Sequence, residues 1–168
     1  LSGKHTDGYK RVNMNNKKTA LNSLHKKYEA KLVSFAGYEM PIHYSGGIIE
    51  EHKNTRENAG IFDVSHMGQL FIKGGDDLAK DLEKIFPTEL DNAELNQSKY
   101  SFLMNDEAGI YDDLIITKIE GGFNIVLNAA CKDTDFELLS KLLDNKYQMT
   151  LSEELSLIAI QGPKAFMI

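Results

Sequence analysis

The sequence predicts an α+β fold, an antiparallel sheet with helices on one side. Three observations predict it. Between Tyr100 and Asn128, three apolar, β-prone runs are parted by Asn105-Asp106-Glu107-Ala108-Gly109 and by Glu120-Gly121-Gly122, the pattern of consecutive antiparallel strands. Helical spacing appears on both sides of that block, with Leu78, Leu82, Ile85 and Phe86 before it and Phe136, Leu139 and Leu143 after it. A short apolar strand pattern precedes the first of these stretches and another follows the second. The order from residue 68 is therefore β-α-β-β-β-α-β.

Residues 1–13 are polar and without periodicity, and they read as an upstream or non-native leader that is disordered. Thr19 to Lys27 reads as a short helix capped by Thr19, with Leu21, Leu24 and Tyr28 on one side. Lys31 to Phe35 is a strand, and Phe35 to Pro41 is strand, turn and break. A loop from His43 to Gly47 leads into a helix over about Ile48 to Asn58, which Gly60 is placed to stop. Ile61 to Met67 runs extended. Gln69 to Lys73 is a strand, and Gly74-Gly75 turns it into a helix capped by Asp76 and ended by Pro87.

A polar connection, Thr88 to Ser98, precedes the three-strand block. Behind Asn128, Thr134 and Glu137 form a capping box, and Leu138 and Leu142 flank the apolar stripe of the helix they open. Tyr147 to Leu151 and Leu155 to Ile160 are strands. Gln161-Gly162-Pro163 opens a further helix, since Pro suits a first turn. Ala165, Phe166, Met167 and Ile168 then have no evident apolar partner. The sequence is expected to be a fragment of a longer protein, truncated inside a folding unit.

A length of 168 residues allows one domain with a real core, or parts of two. The formal charge of -6 argues against a nucleic-acid protein, which would carry a basic patch. The single cysteine, Cys131, excludes an internal disulfide and a cysteine-based zinc site, and a reducing cytoplasm fits. No apolar run approaches the ~18 residues of a membrane span, so no membrane partner is expected. Neither a phosphate loop nor a dinucleotide fingerprint is present. His43, His52, His66 and Asp63 lack ligand spacing, so no metal is expected.

Asp112 and Asp113 interrupt the middle strand of the block. Side chains alternate along a strand, so the two must point to opposite sides of the sheet. One reading is a solvated strand end. The other is a carboxylate held beside an apolar ligand pocket, where it can do charge or proton work. Local pattern leaves both open.

Longer motifs go further. Met40-Pro41-Ile42-His43-Tyr44 is followed by Glu50-Glu51-His52, Arg56 and Ala59-Gly60-Ile61-Phe62-Asp63-Val64-Ser65-His66-Met67. Asn105, then Gly109-Ile110-Tyr111-Asp112-Asp113-Leu114-Ile115, Asn128-Ala129 and Ile158-Ala159-Ile160-Gln161-Gly162-Pro163 come next. In this order, over about Thr19 to Ile168, they resemble the aminomethyltransferase family, the T-proteins of the glycine cleavage system.

The resemblance implies transfer of a one-carbon unit from the aminomethyl-lipoyl arm of the H-protein to tetrahydrofolate, with release of ammonia. It makes tetrahydrofolate the co-substrate and the lipoylated H-protein the partner. It implies Asp112 as the catalytic carboxylate and Met67, Tyr100, Leu103, Val126 and Asn128 as folate-pocket residues. An electrostatic, positioning role is expected for Asp112, because an ordinary Asp is a weak base at neutral pH. The family fold interleaves its first two domains. Residues 14–66 with 153–168 would belong to the first, and 67–152 would form most of a ferredoxin-like second.

Two departures stand out. Ala108-Gly109 replaces the family's usual Gly-Gly, which strains the turn if residue 108 needs a positive φ. Family members are also much longer, so this chain alone is expected to be inactive. The alternatives are a folate-binding relative, such as the folate domain of a demethylating enzyme or an iron–sulfur repair protein, and a non-catalytic interaction module.

Overall fold

A computed structural model describes residues 16–168, and the expected leader lies outside them. In chain order the elements are α1 (Asn22–Lys27), β1 (Lys31–Phe35), β2 (Tyr38–His43), α2 (Gly47–Glu57), β3 (Gly60–Asp63), β4 (Gly68–Lys73) and α3 (Asp77–Glu83). There follow β5 (Ser98–Met104), β6 (Ile110–Ile119), β7 (Gly122–Leu127), α4 (Lys132–Leu142), β8 (Gln148–Ser152) and β9 (Ile158–Gln161). A single 3-10 turn, Ala165–Met167, closes the chain. The described residues fall into two compact units, one of residues 16–66 with 156–168 and one of Met67–Leu155.

The Met67–Leu155 unit shows the expected β-α-β-β-β-α-β order. Its five strands form one antiparallel sheet in the order β5-β6-β7-β4-β8. Leu70 and Ile72 of β4, Leu103 of β5, Leu114 and Ile116 of β6, and Phe123, Ile125 and Leu127 of β7 are buried in a single cluster. Leu78, Ala79 and Leu82 of α3, Leu139 of α4, and Phe86, Leu90 and Leu143 from the segments behind the two helices complete it, so both helices lie on one side of the sheet. Each such leucine or isoleucine contributes about 1.5–3 kcal/mol by leaving water. Gly122 is required where β7 begins, because a Cβ there would lie 2.0 Å from the Ile72 carbonyl oxygen.

The other unit is built differently. β1 pairs with β2, and β3 pairs with β9, each pair antiparallel. β2 runs through Pro41 instead of breaking there. On the edge of β2 away from β1 only Tyr38 is bridged, to Lys17, so Pro41 lies where the edge carries no bridge among the described residues, and Pro is tolerated on such an edge.

Several expected caps are replaced. The N-cap of α1 is Leu21, and Thr19 instead donates its hydroxyl to Asp63 Oδ2 at 2.7 Å. α2 is capped at its C-terminus by Asn58, while Gly60 already belongs to β3. α4 starts behind Cys131, so Thr134 sits inside its first turn and does not cap it. The expected final helix is only the 3-10 turn. Among the described residues, no helix is long and apolar enough to cross a membrane.

Candidate functional site

The side of the five-stranded sheet that carries no helix is organised by strand pairing. Tyr100 of β5 stands opposite Ile115 of β6, Ile115 opposite Val126 of β7, and Val126 opposite Gln69 of β4. Paired residues point to the same side, so these four form one row across the sheet. Phe102 and Asp113 pair in the next row. Tyr100 packs edge-on against Phe102, with ring centroids 5.3 Å apart. Tyr100 is 61% exposed, which leaves its ring open to a ligand.

Asp113 is the carboxylate of this surface. The Tyr100 hydroxyl donates to Asp113 Oδ2 at 3.0 Å. That bond, followed by partial desolvation, raises the Tyr100 phenol above its ordinary range, so the hydroxyl remains a donor. Asn128, just past β7, donates its side-chain amide to the Asp113 carbonyl oxygen at 3.0 Å and to Asp113 Oδ1 at 3.2 Å. The same amide reaches Asp112 Oδ1 at 2.9 Å. The backbone N–H of Asp113 also donates to Asp112 Oδ1, at 3.0 Å.

Asp112 does not share a side with Tyr100 and Val126, as was expected of the catalytic carboxylate. It pairs with Leu103 and lies two residues from buried Leu114, which puts it on the helix-bearing side. Its Oδ2 atom is sealed from water with no hydrogen-bond partner. Leu103 is fully buried in the core, on the side of the sheet opposite Tyr100. The physical reason is the same for both residues. A strand that sends Tyr100 and Asp113 one way must send Leu103 and Asp112 the other. Met67 lies half-buried one residue before β4. The structure thus brings Tyr100, Val126 and Asn128 to Asp113 and adds Phe102 and Ile115. Counting by twos from Tyr100 and from Asp113 would have found both additions.

A second polar cluster lies in the other unit. His25 bridges Tyr44 Oη and Asp63 Oδ2, each at 2.8 Å, and Ser65 donates its backbone N–H to Asp63 Oδ1 at 3.0 Å. Burial pushes the Asp63 carboxyl up, but the hydrogen bonds from Ser65, Thr19 and His25 outweigh it and hold the group below its usual range. A cleft of about 370 Å³, lined by Leu24, Tyr28, Tyr44, Ile61 and Ile158 among others, opens beside it. Each oxygen of Asp63 accepts at least one bond, so the cluster reads as a structural tie.

Comparison with known proteins follows the same lines. The family described as the GCVT N-terminal domain matches residues 21–168. The chain is 43% identical over 155 residues to the mitochondrial aminomethyltransferase of Dictyostelium discoideum, covering 88% of this chain and 38% of that protein. It is 43% identical over 151 residues to the aminomethyltransferase of Flavobacterium psychrophilum, covering 89% and 41%. The crystal structure of the glycine cleavage system aminomethyltransferase T from Bartonella henselae superposes with a TM-score of 0.81 at 39% identity, over 89% of this chain and 41% of that one. The chain spans about two fifths of the length of these relatives. A family match over nearly all the described residues, joined to a shared mixed α+β fold, shows that the chain belongs to the GCVT N-terminal domain family, that of the glycine cleavage system aminomethyltransferases.

Proposed function

We propose that this chain supplies the folate-facing sheet of an aminomethyltransferase. Such an enzyme passes the one-carbon unit from the aminomethyl-lipoyl arm of H-protein to tetrahydrofolate and releases ammonia. The observation that carries the reading is Asp113, a carboxylate set among Tyr100, Phe102, Ile115 and Val126 on the helix-free side of the sheet. A reduced pterin is flat with polar edges, and it suits an apolar row bounded by one carboxylate and one amide. The chemistry the folate supplies is a nucleophilic nitrogen that takes the methylene carbon as the amine leaves.

This chain's own residues would hold that event in place. Asp113 stabilises the positive charge that develops at the methylene carbon, and its carboxylate orients the attacking nitrogen. Tyr100 fixes the Asp113 carboxylate through its hydroxyl. Asn128 holds the Asp113 backbone and side chain together, which limits the reorganisation left for the reaction itself. Asp112 is assigned a supporting role, through the Asn128 amide and the Asp113 N–H.

The test uses a protein of the relatives' full length that carries this region. Ammonia release from aminomethylated H-protein is measured with tetrahydrofolate present. Asp113→Asn should lose on the order of 100-fold or more in turnover, with Asp112→Asn milder. Unchanged turnover in Asp113→Asn would remove it from the mechanism. Failure of the intact protein to release ammonia from aminomethylated H-protein would favour a different folate-linked reaction.

A further inference from the structure

Asp135 is the one acidic side chain of α4 turned into the interior of the Met67–Leu155 unit. It is 4% exposed, whereas Asp133 and Glu137 on the same helix face water. Aspartate is seldom buried so completely without a partner. Its Oδ2 atom has no hydrogen-bond donor, and neither does Oδ2 of Asp112. Asp112 is the neighbouring carboxyl that bears on Asp135, and it lies on the same helix-bearing side of the sheet.

Ionised carboxylates only accept hydrogen bonds, and two of them side by side cannot both keep their charge. One proton held between the two groups removes that conflict and gives a stranded oxygen a donor. Burial first, and then Asp112, pushes the Asp135 carboxyl up to about 7, which agrees with a shared proton. Cys131, behind which α4 begins, faces the same pair. Its thiol is pushed up by burial, then by Asp112 and Asp135, so it brings no further negative charge. Lys132, with a buried side chain, is the nearest cation along the helix.

From this geometry we infer that Asp135 is a positioning residue: it holds a proton against Asp112, and so fixes the carboxylate whose other oxygen grips Asn128 and the Asp113 backbone. The connection runs Asp135, Asp112, Asn128, Asp113 and crosses the sheet from the helix side to the bare side. When the proton is lost, a second buried charge repels Asp112 and loosens its hold on Asn128. The orientation of Asp113 then becomes sensitive to pH near neutrality. The catalytic consequence rests on the function proposed above, but the proton itself does not.

Nuclear magnetic resonance on the 168-residue chain tests the inference. The Asp135 carboxyl carbon should titrate with a midpoint near pH 7, and the Asn128 side-chain amide should shift with the same midpoint. In Asp135→Asn the new amide donates to Asp112 without titrating, so the Asn128 signals should stay at their low-pH position throughout. A midpoint for Asp135 in the ordinary carboxylate range of about 4 would overturn the inference. So would Asn128 signals that ignore the Asp135 titration. If Asp135→Asn does not fold, the wild-type titrations alone decide. A neutral Asp113→Asn result in the ammonia assay sinks the proposed function and leaves these titrations standing, so the two failures can be told apart.

Discussion

The two units are held together by different forces. Met67–Leu155 buries fifteen apolar side chains in one cluster between a sheet and two helices, so hydrophobic burial dominates it. In the unit of residues 16–66 and 156–168, Met40 is the one apolar side chain buried to the same degree among the described residues. Its interior is polar instead, with Thr19, Asn22, His25 and Glu39 buried. Ile49, Ile61, Phe62 and Ile158 remain exposed there. A net hydrogen bond contributes about 1 kcal/mol, while stranding one of its partners costs about 1–3 kcal/mol. The first unit should therefore fail by cavity formation and the second by loss of an acceptor.

The largest expected effect follows from Leu103→Ala. Leu103 is fully buried, and its truncation should cost about 3 kcal/mol, read as a lower urea midpoint for the Met67–Leu155 unit. Were Leu103 a wall of the proposed ligand site instead, affinity would fall and the midpoint would hardly move. Asp63→Ala should come next, at about 2 kcal/mol, because His25, Thr19 and the Ser65 N–H all lose their acceptor. Amide exchange should accelerate in that unit and stay unchanged in Met67–Leu155. Acceleration spread evenly over both would erase the contrast between them.

How far the sequence could be read follows the same division. The order of elements after residue 68 was legible because turn residues separate short apolar runs. The opposite orientation of Asp112 and Asp113 was legible too, from strand geometry alone. Which of them faces the helices was not, because Leu114-Ile115-Ile116 is apolar at every position and hides the alternation. The pairing of Asp112 with Leu103 supplies what that run conceals. Asp135 gave no signal, since an acidic residue in a first helical turn is ordinary. Thr19 and Thr134 failed as caps for different reasons. Thr19 is drawn to a carboxylate 44 residues away, and α4 simply begins earlier.

The two buried carboxylates also predict opposite responses to pH. Asp63 is held below its usual range, so its contribution is present above the unfolded value of about 4 and is lost as the solution becomes more acid. Asp135 is raised to about 7, so between about pH 4 and that value the folded unit holds a proton that the unfolded chain lacks. Its stabilisation is complete below that window, declines as pH rises through it, and is flat above. Urea titrations followed at amides of each unit should show Met67–Leu155 more stable at about pH 5 than at about pH 8. Asp135→Asn should abolish that difference. The other unit should instead weaken at low pH, and parallel pH profiles for the two would contradict both assignments.

The smallest effect concerns the turn that sets the register of β5 against β6. Asn105 organises it, accepting at Oδ1 from the N–H groups of Glu107 at 3.1 Å and Gly109 at 2.6 Å. Ala108 takes a φ of 62°, in the left-handed region that glycine suits best. A non-glycine residue there costs about 1–2 kcal/mol. Glycine would remove that strain but would also gain freedom in the unfolded chain, worth about 0.4–1 kcal/mol. Ala108→Gly should therefore stabilise the Met67–Leu155 unit by about 0.5 kcal/mol, and β-branched Ala108→Val should destabilise it. The Asn105 bonds oppose any relaxation of the turn, so the strain has no easy outlet. A higher denaturation midpoint for valine than for glycine would mean that the turn adopts another conformation, and the pairing that sets Asp112 against Leu103 would then need to be redrawn.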